Sequence, residues 1–217
     1  MPKYFNYFPK TVYSNGINPT SVDVVTNIMS KFAFESTFKN NTVVFYEYVI
    51  SDGETPESIA HKIYGDSEKH WIILTLNDIY NPQTEWPLEQ RTFIRYINKK
   101  YYDQANAENK TGVEWTQTNN YAYYKIETQT LINTGQQTVK YFEIDSYEYA
   151  NTITEIKTVT LPGNQPVKFE TQRDVKTYYD YEFVMNEMKR GIKILKPEFV
   201  GPVEDEMRRL FETKYNV

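Results

Sequence analysis

The period of hydrophobic and polar positions changes several times along this chain, and each change marks an element. Tyr46, Tyr48 and Ile50 alternate with Glu47, Val49 and Ser51, a strand rich in aromatic and β-branched residues. Asp52-Gly53 closes it, because glycine takes a positive φ without steric cost. Thr55-Pro56-Glu57 predicts a helix start, with a hydroxyl cap, proline at the first position and a carboxylate near the positive helix end. Ile59, Ala60, Ile63 and Tyr64 share one face at helical spacing, and Gly65 stops the run. Ser67 predicts the cap of a second helix with Trp71, Ile72, Ile73, Leu74 and Leu76, ended by Asn77 and Asn81-Pro82. That helix is apolar almost all round, so a second layer must cover it, from this chain or a partner.

The flanks read differently. Residues 1–20 fit no single period and hold Tyr4, Phe5, Tyr7, Phe8 and Tyr13 among prolines. They read as an extended aromatic arm that pins its rings either on the chain's own core or on a neighbouring subunit. Ser21 is expected to cap a short helix with Val24, Val25, Ile28, Met29 and Phe32 on one stripe. Beyond Trp86-Pro87, the residues Leu88, Phe93, Ile94, Ile97 and Tyr101 return to helical spacing. After Asn106 the period becomes two. Residues 121–131, 138–145 and 151–161 predict strands, and residues 167–169 a short one, forming an antiparallel meander or small sandwich. Both faces look polar enough that one is expected to rest on a partner. Residues 178–188 read as a link that turns helical, and Pro202 as the start of a last helix with Val203, Met207, Leu210 and Phe211.

The strand–helix–helix order, with Tyr48-Val49, Gly53-Glu54-Thr55, Ile59-Ala60, Tyr64-Gly65 and Asn77, resembles the LysM module. The longer run YGDSEKHWIILTLNDIYNPQTEWPL, together with NEMKRGIKILKP near the C-terminus, is similar to the LysM-like baseplate wedge proteins of T4-type contractile-tailed bacteriophages. The resemblance covers the opening segment, residues 46–100 and residues 178–217. It implies an α+β fold whose LysM-like βααβ unit is interrupted. Gly191-Ile192-Lys193-Ile194-Leu195 carries the glycine and alternation expected of the missing second strand. The expected organisation is an arm and short helix (1–42), the first part of the LysM-like unit (43–85), a helix and β-rich insertion (86–186), and the closing strand with a C-terminal helix (187–217).

Composition narrows the function. The chain has 217 residues, 40% hydrophobic and 24% charged, which is the make-up of a globular protein with a core. No stretch is apolar and long enough to span a membrane, and the N-terminal residues lack a signal-peptide run. With no cysteine there is neither disulfide nor thiolate chemistry. A net charge of −5 with scattered basic residues argues against nucleic acid. Twenty Tyr and twelve Phe stand out, a usage suited to wetted protein contacts or simply to exposed strands.

Candidate chemistry is thin. His61 and His70 lie near Glu57, Asp66 and Glu68 but without metal-ligand spacing. Glu143, Asp145 and Glu148 fall on a predicted strand and turn, where carboxylates are ordinarily solvated. Neither a nucleophile elbow nor a phosphate-binding glycine loop is present. The expectation is therefore a protein that is not an enzyme and needs no cofactor or metal. What the resemblance implies is a structural wedge subunit in the virion's tail baseplate, made in the host cytoplasm. It would join neighbouring wedges by contacts with other wedge proteins and wedge copies in a sixfold ring. Candidate contact residues are Tyr4, Phe5, Phe8, Trp71, Tyr80 and Trp86, with core the favoured reading for Trp71 and an exposed loop position expected for Trp86. The other reading is a peptidoglycan-binding LysM-type tail protein whose groove lies between residues 52–56 and 79–82. The insertion beginning there is expected to cover or reshape that groove.

Overall fold

The computed structural model describes residues 8–14, 22–30, 33–39, 41–163 and 165–215. The chain divides into two compact units, one made of residues 1–89 and 188–217, the other of residues 90–187. In chain order the first unit starts with strands β1 (Lys10–Tyr13) and β2 (Asp23–Thr26), helix α1 (Ser36–Lys39), strand β3 (Phe45–Val49) and helices α2 (Pro56–Tyr64), α3 (His70–Leu76) and α4 (Pro82–Glu85). The second unit holds helices α5 (Gln90–Lys100), α6 (Tyr102–Ala107) and α7 (Gly112–Thr118). Strands β4 (Asn120–Leu131) and β5 (Gln137–Ile144), helix α8 (Ser146–Asn151), strands β6 (Glu155–Leu161) and β7 (Gln165–Thr177) and helix α9 (Tyr178–Glu187) follow. The chain then returns to the first unit with β8 (Gly191–Leu195) and α10 (Val200–Tyr215). The protein is a mixed α+β fold with antiparallel sheets.

In the first unit, β3 pairs antiparallel with β8, Phe45 opposite Leu195 and Val49 opposite Gly191. Thr55 caps α2 in a reciprocal box with Ser58, Pro56 occupies the first turn, and Gly65 ends the helix at φ 71°. The start of the next helix differs from expectation. Asp66, not Ser67, accepts the capping bond, from the Glu68 amide, and a 3-10 turn at Ser67–Lys69 leads into α3. Asp66 stands one residue ahead of the turn, where its carboxylate reaches the amide two residues on, whereas Ser67 already lies inside the turn.

Helix α3 is covered on two sides by its own chain. Trp71, Ile72 and Leu76 join a core with Phe8, Phe45, Leu195 and, from α10, Val203, Met207 and Phe211. Ile73 faces a second core with Ile50, Ile59, Ala60, Trp86, Ile192 and Ile194. Ile194 is fully buried at 0% exposure. Asn77, at the end of α3, locks helix to strand. Its side-chain amide donates to the Ile73 and Lys193 carbonyls, and its carbonyl accepts from the Lys193 amide at 2.7 Å. One side chain thus imitates a third strand along the outer side of β8.

Two expectations are corrected here. Where a helix was expected from Ser21, Asp23–Thr26 form strand β2, whose Val24 and Val25 face Val12 and Thr11 of β1, and a turn follows at residues 28–29. Adjacent β-branched valines lose rotamer freedom in a helix and fit a pleated strand. Ser21 and Phe32 lie outside the described residues. The residues 10–13 of the expected extended arm form β1, one strand of that pair. Trp86 is not exposed in a loop; it is buried at 8% exposure, with its indole N–H donating to the Glu54 carbonyl at 2.8 Å.

In the second unit, β4 and β7 form the centre of a four-stranded antiparallel sheet ordered β5-β4-β7-β6. Two hairpins are therefore joined by their inner strands, which is not a meander. The short strand expected at residues 167–169 extends over thirteen residues, because the polar alternation Glu170–Thr177 still satisfies its ladder to β4. Residues 146–150, expected as a break between strands, form α8 together with Asn151, the expected first residue of the next strand, and Asp145 caps the helix. Residues 178–187 are helical throughout.

The helices of this unit pack around aromatics. Tyr101 stacks on Trp115 with ring centroids 5.6 Å apart, and Tyr178 meets both edge-on or tilted. Phe93 contacts Tyr179 and Phe183 of α9 edge-on. Gly112 allows α7 to approach α5, since a Cβ there would lie 2.6 Å from the Asn98 Cα. Inside this packing sits Glu182, which accepts from Lys100 at 2.6 Å and from the Tyr101 hydroxyl at 2.7 Å. Burial works against the Lys100 charge, yet the bonds to Glu182 and Tyr96 and the Glu182 charge raise its pKa above the ordinary lysine value.

Candidate interaction surfaces

Three surfaces stand out, each a consequence of local sequence. The first is the β1–β2 pair. Its strands are joined only to each other among the described residues, and Val12 and Val24, opposite one another, are 66% and 70% exposed. Ile28 and Met29 just beyond it are exposed as well. A lone two-stranded ribbon is marginal by itself, and it leaves these apolar side chains available.

The second is the region around residues 52–56 and 79–86. Glu54 organises the turn: it accepts from the Ser51 amide and the Tyr48 hydroxyl and pairs with Lys62 at 3.1 Å. Burial works against its charge, but those bonds and Lys62 together hold its pKa below the usual carboxylate value. On the facing loop Glu85 accepts from the amides of Tyr80 and Asn81, and Asn81 caps α4. This leaves the Tyr80 ring 64% exposed. The Trp86 bond to Glu54 and the Arg190 pair with Asp52 at 3.2 Å tie the turn to segments beyond it. Its main-chain carbonyl at Glu54 is thereby already engaged by the protein.

The third is the sheet of the second unit. Strand register places Ile126 beside Tyr141, and Thr128 beside Val139 and Glu170, with Ile156 next to Glu170. Tyr141 and Ile156 on this face are 67% and 62% exposed. On the opposite face α8 covers one end, where Tyr149 packs on Tyr123 and Arg173 lies over the Tyr149 ring. Further along that face Phe169, Glu127, Gln129, Thr138, Lys140 and Thr171 border a shallow groove of about 240 Å³. Strands β5 and β6 are the outer strands, and every residue of β6 is exposed.

The expected contact residues that are described lie in different surroundings. Tyr4 and Phe5 lie outside the described residues. Phe8 is buried against Phe211 of its own core, with centroids 5.0 Å apart. Trp71 is core, and Trp86 joins it there. Among the described ones, Tyr80 reaches the surface. Among the described residues no group of His, Asp and Glu is arranged to hold a metal ion. No described helix is long and apolar enough to cross a membrane. Asp145 of the acidic trio acts as a helix cap, its carboxylate accepting the Glu148 amide at 2.7 Å.

The exposed ribbon was missed by sequence reasoning, whereas the strands of the open sheet were expected. The adjacent β-branched pair Val24-Val25 was the sequence signal for the ribbon. The role of Asn77 had no sequence signal, since its partner strand lies 116 residues away.

Open sheet faces, free outer strands and an exposed ribbon are the marks of a protein built to be assembled with others. Comparison with known proteins agrees. The family described as base plate wedge protein 53 matches residues 3–208. The chain is also 22% identical over 214 residues to baseplate wedge protein gp53 of Enterobacteria phage T4, covering 96% of this chain and 93% of that protein. The chain belongs to the base plate wedge protein 53 family, and it is a structural protein of the phage tail baseplate.

Proposed function

We propose that this subunit joins neighbouring baseplate wedges, through contacts with other wedge proteins and with adjoining wedge copies in a sixfold ring. The observation that carries this reading is the presence of separate exposed surfaces on two compact units of one chain: the β1–β2 ribbon and Tyr80 on one, the open sheet on the other. A subunit that bridges needs more than one such surface, and heterologous contacts close into a ring when the rotation permits. In this reading residues 43–85 and 187–217 form a LysM-like βααβ unit interrupted by residues 86–186, with residues 1–42 as its N-terminal arm. Tyr80, Tyr4 and Phe5 serve as contacts, while Phe8, Trp71 and Trp86 hold the unit together.

The test is wedge closure in vitro. Wedges purified without this subunit should remain separate by electron microscopy and close into rings when it is added. Tyr80→Ala combined with Val12→Ser and Val24→Ser should reduce closure while leaving the fold intact. Equal closure without the subunit would refute the joining role. Peptidoglycan binding is the weaker reading, because the turn at residues 52–56 already gives its Glu54 carbonyl to Trp86.

A further inference from the structure

Strand β6 and the residues leading into it read Thr152-Ile153-Thr154-Glu155-Ile156-Lys157-Thr158-Val159-Thr160. This run is a chemical palindrome about Ile156. Threonine mirrors threonine, Ile153 mirrors Val159, and Glu155 mirrors Lys157, its opposite charge. Thr152 already has extended backbone, at φ −68° and ψ 119°. β6 is an outer strand, paired among the described residues with β7 alone, and all its side chains are exposed. Ile153 and Ile156 are apolar side chains left in solvent.

We infer that two copies of this chain pair antiparallel through β6, with a twofold axis at Ile156. In that register Glu155 of each copy faces Lys157 of the other, Ile153 faces Val159, and Ile156 faces itself. Paired positions have the same parity, so sheet faces are kept and outward backbone groups meet outward backbone groups. The two sheets become one eight-stranded sheet. Within one chain Lys157 already contacts Glu155 at 2.6 Å along the strand, so the register assembles a four-charge cluster of alternating sign. The other outer strand does not have this property. About Tyr141, β5 would set Lys140 against Phe142 and Val139 against Glu143.

The contact is isologous and closes on itself, whereas neighbours around a cyclic ring meet through unlike surfaces. It therefore belongs to the free subunit and stands apart from the wedge-joining reading. There it would cover an edge that is otherwise open to uncontrolled strand addition.

The experiment is sedimentation equilibrium on the full chain across a wide concentration range. The wild type should show a reversible monomer–dimer equilibrium. Glu155→Lys and Lys157→Glu should each weaken it by about tenfold, because two attractive cross-strand pairs become repulsive. The double exchange Glu155→Lys with Lys157→Glu should restore it. So should mixing the two single variants, whose edges are complementary to each other. These side chains are exposed, and unchanged circular dichroism will show that folding is not the variable. A wild type that stays monomeric at every concentration overturns the inference. So does a dimer indifferent to both single exchanges.

Discussion

The two units solve the problem of stability in opposite ways. In the first, helix α3 is wrapped by two cores, and the pairing of β3 with β8 is sealed by fully buried Ile194 and Leu195. In the second, the sheet buries little, with Val167 and Ala122 its fully covered apolar residues among those described. That sheet is held by ladder hydrogen bonds in register, and the unit's packing is concentrated in the aromatic helices around Glu182. Burial stabilises the first unit, roughly 25 cal/mol for each Å² of apolar surface removed from water. The open sheet forgoes that gain and keeps apolar side chains for other contacts. Substitutions in the first region should therefore cost stability, and those on the sheet should cost assembly.

The largest effect is expected from Ile194→Asp, which places a carboxylate in a closed apolar core. The loss should be about 4 kcal/mol or more, enough to abolish the unit's cooperative melting transition followed by circular dichroism. Retention of that transition would mean that Ile194 is not a core strand residue. Glu182→Ala should cost about 2–3 kcal/mol in urea denaturation, since it strands the Tyr101 hydroxyl and the Lys100 ammonium. This would show that the second unit's stability lies in its helices. Asn77→Ala should cost about 2 kcal/mol, by unpairing the Lys193 amide and carbonyl. Asn77→Asp should be no better, because it sets a carboxylate against two carbonyl oxygens. By contrast, Tyr141→Ser on the open sheet should change stability by under about 0.5 kcal/mol while lowering incorporation into wedges.

The smallest effect is one of pH. Glu54 has a folded pKa below its unfolded value, so its ionised form adds stability at neutral pH. That contribution should fade as the pH falls below the ordinary glutamate value of 4.5 and through the depressed folded one. Glu54→Gln should flatten this part of the stability profile. An unchanged profile would remove Glu54 from the account of the turn.

Legibility followed the range of the interactions. Helix α2 was readable almost atom by atom, because Thr55, Pro56 and Gly65 act within a few residues of themselves. Strand β8 was readable from its own alternation and its glycine. Helix α3 gave away that it was covered, but not that Phe8 and α10 would cover it, since those contacts are distant in sequence. Strand β2 was misread because Val24, Val25, Ile28 and Met29 also satisfy helical spacing, and a short apolar run fits both periods. The full length of β7 was hidden by its polar face, which a solvated strand shares with a loop. Trp86 was placed outside because it precedes a proline in a turn. The bond that draws it inward goes to the main chain at Glu54, which composition does not reveal.

The central claim is that this chain is a stoichiometric structural part of the baseplate. Its copy number in purified intact virions, by quantitative mass spectrometry against the major sheath protein, tests that most directly. The account predicts a constant low number equal to six or a multiple of six, as a ring of wedges requires. Absence from the particle, or a number that varies between preparations, would contradict it.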